Sequence, residues 1–282
     1  MDVMTSVQVE NLTYAYEKGS YALKDINLKI CKGEMIAFTG KNGSGKTTLA
    51  KHLNGLLKPT SGRVFINGLD TTGKTVSFLA QQVGYVFQNP DHQIFNDTVY
   101  EEVAFGPKNQ GLTGKDLEQR VLNALQVVGL ETYGSTYPYK LSKGQRQRVA
   151  LASVLAMDSD ILVLDEPTTG LDYKESQQVM ELVAGLHQKG RTIIFITHDM
   201  NLVARYAERM IVMANGEVIA DGRPRDIFAQ PKTIKSGSLK VPVVTLLAER
   251  GGFTSRTVLD EEEFIHDIYQ YKRRMSLNVL CS

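Results

Sequence analysis

The chain holds 282 residues, 42% of them hydrophobic and 22% charged, enough apolar material to bury a core and too much for an intrinsically disordered chain. With 32 Lys and Arg against 31 Asp and Glu the net charge is +1, which removes the simplest argument for nucleic-acid binding but leaves room for a local basic patch. Cys31 and Cys281 sit in no CxxC pair and are expected as free thiols in a reducing compartment; the N-terminus is unlike a secretory signal, and no apolar run predicts a membrane span.

Along the first 35 residues apolar positions alternate: Val7, Val9 and Leu12, then Leu23, Ile26, Leu28 and Ile30, punctuated by Lys18-Gly19 and Lys32-Gly33. Short antiparallel strands are expected there. Met35 to Thr39 is a compact apolar strand that runs into Gly40. A helix should start near Lys46 and continue through Leu49, Leu53 and Leu56. After a turn at Pro59 to Gly62, Arg63 to Ile66 and Val83 to Phe87 predict further strands. Residues 97 to 155 read as helical, with breaks at Gly106-Pro107 and around Tyr137-Pro138; Leu117, Val121, Leu125 and Val128 recur at helical spacing. Then come a buried strand at Ile161 to Leu164, a helix over 173–187, and a second buried strand at Thr192 to Ile196. A helix at Met200 to Arg209 and a hairpin pairing Met210 to Met213 with Glu217 to Ala220 follow. This order predicts an α/β core with mostly parallel strands.

The chain changes character near residue 231. Pro231, Gly237, Pro242 and Gly251-Gly252 punctuate it, and Asp260 to Glu263 form an acidic block. Phe264, Ile265, Ile268 and Tyr269 follow at helical spacing, then Lys272, Arg273 and Arg274. A small appendage, built as a helical pair, is expected.

Gly40-Lys41-Asn42-Gly43-Ser44-Gly45-Lys46-Thr47 fits the pattern GxxxxGK(S/T). It follows a predicted strand and opens a predicted helix, where backbone N–H groups and a helix N-terminus gather phosphate oxygens. Gly40, Gly43 and Gly45 permit the tight turn around Asn42 and Ser44. Lys46 would reach the β- and γ-phosphates, the Thr47 hydroxyl would ligate Mg²⁺, and Thr48 would contact the α-phosphate.

Asp160-Ile161-Leu162-Val163-Leu164-Asp165-Glu166 is an apolar strand ending in two acids, which emerge where α/β sheets place their ligands. Asp165 is expected in the Mg²⁺ shell. Glu166 would polarise the attacking water or hold it in place. His198 follows the strand ending at Ile196 and would reach the γ-phosphate or Glu166. These groups specify nucleotide hydrolysis without saying what the hydrolysis drives.

Leu141-Ser142-Lys143-Gly144-Gln145, with Arg146-Gln147-Arg148 behind it, resembles the signature of ATP-binding-cassette proteins, and the resemblance extends over residues 5 to 230. It implies a P-loop NTPase fold of α/β class: an ATP-binding domain over 1–230, with an antiparallel β subdomain and an inserted helical subdomain at 97–155, then an extension over 231–282. In that family an aromatic residue near the N-terminus stacks on adenine; Tyr16 resembles it, with Tyr14 the second candidate. Gln88 resembles the glutamine that touches Mg²⁺ or the attacking water. Thr169-Gly170-Leu171-Asp172 resembles the loop that crosses the dimer interface, Asp172 being its acidic member, and His198 resembles the switch histidine. The resemblance also implies a head-to-tail dimer with two sandwiched ATP molecules. Each lies between the phosphate loop of one subunit and Ser142, Gly144 and Gln145 of the other. Lys143 stands where the family usually has glycine.

Gln88-Asn89-Pro90-Asp91-His92-Gln93-Ile94-Phe95, then Thr98-Val99 and Glu101 to Pro107, look like energy-coupling-factor ATPases, which serve uptake of vitamins or of cobalt and nickel ions. That implies a peripheral ATPase at the cytoplasmic face of the cell membrane. Its partners would be a second ATPase subunit, identical or homologous, an integral membrane coupling subunit and a substrate-binding membrane subunit. The extension would help pair the ATPases. Phe87, Ile94 and Phe95 are candidates for an apolar docking surface or for ordinary core. His92 has no clustered second ligand and is not expected to bind metal. The alternatives are a conventional transporter ATPase, or a cassette protein acting on DNA or the ribosome. The latter usually carries two cassettes in one chain, a long coiled coil, zinc-binding cysteines or basic linkers; no nucleic-acid partner is expected.

Overall fold

The computed structural model describes residues 4–17, 19–252, 254 and 256–280. Lys18, Cys281 and the side chain of Arg274, named above, lie outside the described residues. Strand β1 (Thr5–Glu17) pairs antiparallel with β2 (Ser20–Cys31), Val9 opposite Leu28 and Leu12 opposite Ile26. These strands are long rather than short, because register shifts between Val9 and Ala15 bend the ribbon without ending it. β3 (Met35–Thr39) runs into the phosphate loop and α1 (Lys46–Leu53) leaves it. β4 (Ser61–Ile66) and β5 (Leu69–Asp70) complete a four-stranded antiparallel sheet, β2-β1-β4-β5.

α2 (Val76–Gln82), capped by the Thr75 side chain, leads into β6 (Val83–Val86). The helical insert comprises α3 (Val99–Asn109), α4 (Gly114–Val127) and α5 (Lys143–Ala156). Then follow β7 (Ile161–Asp165), α6 (Tyr173–Gln188), β8 (Thr192–Ile196) and α7 (Met200–Tyr206). The hairpin of β9 (Arg209–Ala214) and β10 (Glu217–Gly222) closes the larger sheet. Its order is β10-β9-β3-β8-β7-β6, parallel from β9 to β6, with β10 antiparallel at the edge.

Some expected boundaries move. α1 ends at Leu53, and Leu56 lies exposed beyond it; β6 stops before Phe87. Gly106-Pro107 does not break α3: Pro107 lies within its last turn, its carbonyl accepting from the Gln110 and Leu112 N–H groups, and the break falls at Gln110 to Thr113. α7 stops at Tyr206, and Arg209 already belongs to β9. α2 and β5 went unexpected; α2 buries Leu79 alone, too little to give an apolar period.

Alternation explains the layering. Ile36, Phe38, Val163 and Ile194 on one face of the parallel sheet pack with β1, β2 and β4 around α1, whose Leu49, Ala50 and Leu53 are fully buried. Met35, Ala37, Leu164 and Phe195 on the other face pack with α3, α5 and α6 through residues such as Val103, Val149 and Val183. Both faces are covered, so these strands read as continuous apolar runs. The phosphate loop and α1 are thereby held between two sheets, at the C-terminal ends of β3 and β7.

Beyond α8 (Pro224–Phe228) come α9 (Pro231–Gly237), α10 (Val243–Gly251) and α11 (Glu261–Leu280), three helices among the described residues instead of the expected pair. Arg225 of α8 donates to the Thr257 carbonyl and pairs with Glu263, which ties α11 to the preceding chain. Burial opposes ionisation of Glu263, but Arg225 and the Leu259 N–H hold its carboxyl below the usual range.

Candidate functional site

The loop over 40–47 is built on backbone freedom. Gly40, Gly43 and Gly45 have φ of 129°, 77° and 105°, open to glycine and strained for other residues. A Cβ at Gly40 would collide with the Met213 carbonyl, and one at Gly45 would lie 2.7 Å from the Ala22 carbonyl. No side chain caps α1 at Gly45, so its first-turn N–H groups are available to an anion. Lys46 is 6% exposed, and its Nζ donates to the Gly40 and Lys41 carbonyls at 2.9 and 3.0 Å. Burial depresses its pKa, while Glu166 and Asp165 work to keep it charged. The buried Ser44 hydroxyl has no hydrogen-bond partner, a cost that a phosphate oxygen would relieve. These features fit a bound polyphosphate. A cavity of about 370 Å³ opens here, lined by Tyr16, Asn42, Lys46, Gln88, Glu166 and His198 among others.

β7 brings the carboxylates. Asp165 is buried; its Oδ1 accepts from Thr47 Oγ1 at 3.2 Å and its Oδ2 from the Tyr85 hydroxyl at 2.9 Å. Burial raises the pKa of Asp165 against those two hydrogen bonds. Burial, with Asp165 beside it, also pushes the Tyr85 hydroxyl far above its ordinary value, so it remains a donor. Thr47 and Asp165 are hard oxygen donors held together from α1 and β7, a set that suits Mg²⁺. Among the described residues no group of three His, Cys, Asp or Glu could hold a metal alone; Mg²⁺ would need phosphate and water to complete its shell.

Glu166 has φ of +45°, a left-handed conformation uncommon outside glycine. The strain is over-determined by its surroundings. Its N–H donates to the Ile196 carbonyl at 3.0 Å. Its Oε2 accepts from Thr169 Oγ1 at 2.7 Å and from Gln88 Nε2 at 3.3 Å, and its Oε1 lies 3.3 Å from His198 Nδ1. Of the two partners open to His198 in the sequence, Glu166 is therefore within reach.

Tyr16 is exposed at the mouth of the cavity, and its hydroxyl shares a 3.1 Å hydrogen bond with that of buried Thr48. Half-buried Tyr14 packs edge-on against both Tyr16 and His52, with ring centroids 5.0 and 4.7 Å away. Tyr16 is thus the ring open to a ligand, and Tyr14 belongs to the packing.

The signature residues are not brought to this cavity. Ser142 caps α5: its Oγ accepts from the Gln145 N–H at 3.1 Å, and Gln145 Oε1 accepts from the Ser142 N–H at 2.8 Å. Ser142 Oγ also donates to Glu175 Oε1 at 3.2 Å. Gly144 is buried where a Cβ would lie 2.5 Å from the Glu175 carboxylate. Asp172 caps α6, accepting from the Glu175 N–H at 2.8 Å. Sequence reasoning missed Tyr85, Thr169 as a partner of Glu166, and Glu175. Tyr85 left one signal: a polar-tipped ring in an otherwise apolar strand must find a partner.

A second surface lies beside the helical insert. Phe95 and Phe105 are exposed, with their rings 4.8 Å apart and edge-on. They line an apolar groove of about 250 Å³ with Leu56, Val76 and Phe87. Buried Glu102 pins the groove's loop, accepting from the Phe95 and Asn96 N–H groups at 3.0 Å. Of the two readings open to Phe87, Ile94 and Phe95, docking surface or core, Ile94 takes the core, 2% exposed, while Phe95 faces the groove.

The ABC transporter family model matches residues 23–169. The energy-coupling factor transporter ATP-binding protein EcfA of Methanocaldococcus jannaschii is 45% identical over 248 residues, covering 87% of this chain and 89% of that protein. The solved structure of cbiO1 from Clostridium perfringens, part of the ABC transporter complex cbiONQ, has a TM-score of 0.76 at 40% identity, covering 87% of this chain and 99% of that one. The ATP-binding cassette MJ0796, a dimer in a post-hydrolysis state with ADP and Pi, has a TM-score of 0.70 at 35% identity over 78% of this chain and 99% of its own. The chain spans less than half the length of three other curated relatives it matches, 45%, 42% and 39%.

Proposed function

We propose, from the fact that this chain belongs to the ABC transporter family, that it is the ATP-hydrolysing subunit of an energy-coupling-factor type importer. The observation that carries the reading is the convergence of buried Lys46 and strained Glu166 on one cavity at the strand ends. The names of the EcfA and cbiO1 relatives support the transporter class.

ATP is the substrate. Tyr16 stacks on the base, the loop N–H groups with Ser44 and Thr48 hold the phosphates, and Lys46 binds at the β- and γ-phosphates. Thr47, Asp165 and Gln88 would hold Mg²⁺, which would supply charge neutralisation for the phosphate. Glu166 orients the attacking water and accepts its proton as the γ-phosphorus–oxygen bond to ADP breaks; His198, Gln88 and Thr169 hold the Glu166 carboxylate in place. Ser142, Gly144 and Gln145 complete the corresponding site of a second ATPase subunit, since they lie outside the cavity of their own chain. The dimer of MJ0796 supports that pairing. The exposed side chains of Val243, Leu247, Ile265 and Tyr269 give the extension an apolar surface for the same partner.

The groove at Phe95 and Phe105 receives a helix of the integral coupling subunit, and a separate membrane subunit chooses the vitamin or metal ion. No helix among the described residues is long and apolar enough to cross a membrane; the chain docks peripherally at the cytoplasmic face. Glu166→Gln tests the reading. It should bind ATP and elute as a dimer on gel filtration with excess ATP, with hydrolysis lost. A variant that stays monomeric, or that hydrolyses ATP at the parent rate, sinks it.

A further inference from the structure

The signature departs from its family at Lys143, and the structure shows what that side chain reaches. Lys143 opens α5, and its Nζ donates to the Thr169 carbonyl at 2.8 Å. The stem lies across Gly170, with Cε 3.5 Å and Cδ 3.9 Å from where a Cβ there would stand. The ammonium itself would collide with that Cβ. Thr169 in turn gives its hydroxyl to Glu166 Oε2 at 2.7 Å and its N–H to the Glu166 carbonyl at 3.1 Å. Ser142 Oγ on Glu175, and Gly144 against the same carboxylate, join the two elements a second time. One residue therefore stands between the Lys143 ammonium and the Glu166 carboxylate.

We propose that Lys143 is a positioning residue that latches the signature helix to the Thr169–Asp172 loop, so that a nucleotide clasped by Ser142 for the neighbouring subunit is felt at this subunit's own Glu166. The inference rests on the dimer reading above. A glycine at this position has no side chain with which to reach the loop. A half-buried ammonium on a carbonyl makes a charge-assisted hydrogen bond, stronger than a neutral one. Movement of the α5 N-terminus toward or away from the neighbour's phosphate then pulls on Thr169, and through its hydroxyl on Glu166. Each subunit thus carries a physical link between the two ATP sites, a route by which a coupling free energy is carried.

The test uses the full chain in the complex with which it co-purifies, measuring turnover against ATP concentration. The parent should show a Hill coefficient approaching about 2, the number of sites. Lys143→Met keeps the stem and removes the donor. It should bring the coefficient to about 1 while changing half-saturating ATP by less than about threefold. Amide exchange across Thr169–Asp172 should rise in that variant, and Lys143→Arg, which restores a donor, should recover both properties. If Lys143→Met fails to fold by circular dichroism, Lys143→Leu takes its place with the same expectation. A parent without cooperativity overturns the latch. So does an unchanged coefficient in Lys143→Met, including the case where ATP affinity alone collapses because the ammonium serves the nucleotide directly. Gel filtration of Glu166→Gln separates the two failures: an ATP-dependent dimer leaves only the latch wrong, and a monomer removes the dimer reading with it.

Discussion

The N-termini of α1 and α5 face the same chemical problem and answer it in opposite ways. At α1 the cap is Gly45, no side chain satisfies the first turn, and the nearby Ser44 hydroxyl is buried without a partner. At α5 Ser142 and Gln145 close a reciprocal capping box on the protein's own surface. The first end is wedged between two sheets; the second is exposed and stitched to α6. A phosphate cradle whose Ser44 hydroxyl and uncapped first turn lack internal partners is poised for its ligand, whereas a self-satisfied cap must exchange hydrogen bonds to take one. That exchange is inexpensive, since a serine cap contributes about 1 kcal/mol. The pairing of a fixed half-site with an exchangeable one suits an interface that closes and opens.

The comparison can be broken at either end. Lys46→Ala removes the buried cation of the fixed half. Turnover should fall by roughly 10²–10³-fold, the size seen when one preorganised charge stabiliser is lost, with the circular dichroism spectrum unchanged; phosphate release near the parent rate would contradict the cradle. Ser142→Arg attacks the exchangeable half. Nucleotide affinity of the single subunit should stay within about twofold, while turnover in the assembled complex drops at least about tenfold, a loss of about 1.4 kcal/mol of transition-state binding. Equal losses in both measurements would mean that Ser142 serves its own chain's site. Tyr85→Phe sharpens the contrast by removing a support that α5 has no counterpart for. Asp165 Oδ2 then loses its donor inside the core, at a cost of about 1–3 kcal/mol. Mn²⁺ affinity read by electron paramagnetic resonance should weaken about tenfold, with turnover restored at high Mg²⁺. An unchanged metal affinity would reduce Tyr85 to packing.

Much of this was legible before folding. The glycines of 40–47 are demanded by local backbone conformation, and a run such as Ile161 to Asp165 announces a strand buried on both faces. The two carboxylates and His198 follow from their place at strand ends. Other features left almost no trace along the chain. Pro107 lies inside the last turn of α3, although a proline there forgoes one helical hydrogen bond. Ile94 and Phe95 are adjacent, yet one enters the core and the other the groove.

By itself the sequence determined the local chemistry: which turns can form, which strands are buried, which end of each strand carries an acid. Those depend on φ preferences, side-chain period and capping, all set within a few residues. Only the tertiary structure decided that Tyr85 orients Asp165 and that Thr169 joins Glu166 to Lys143. Those contacts join groups brought together by packing two sheets and a helical insert, and no local propensity encodes a distance between elements.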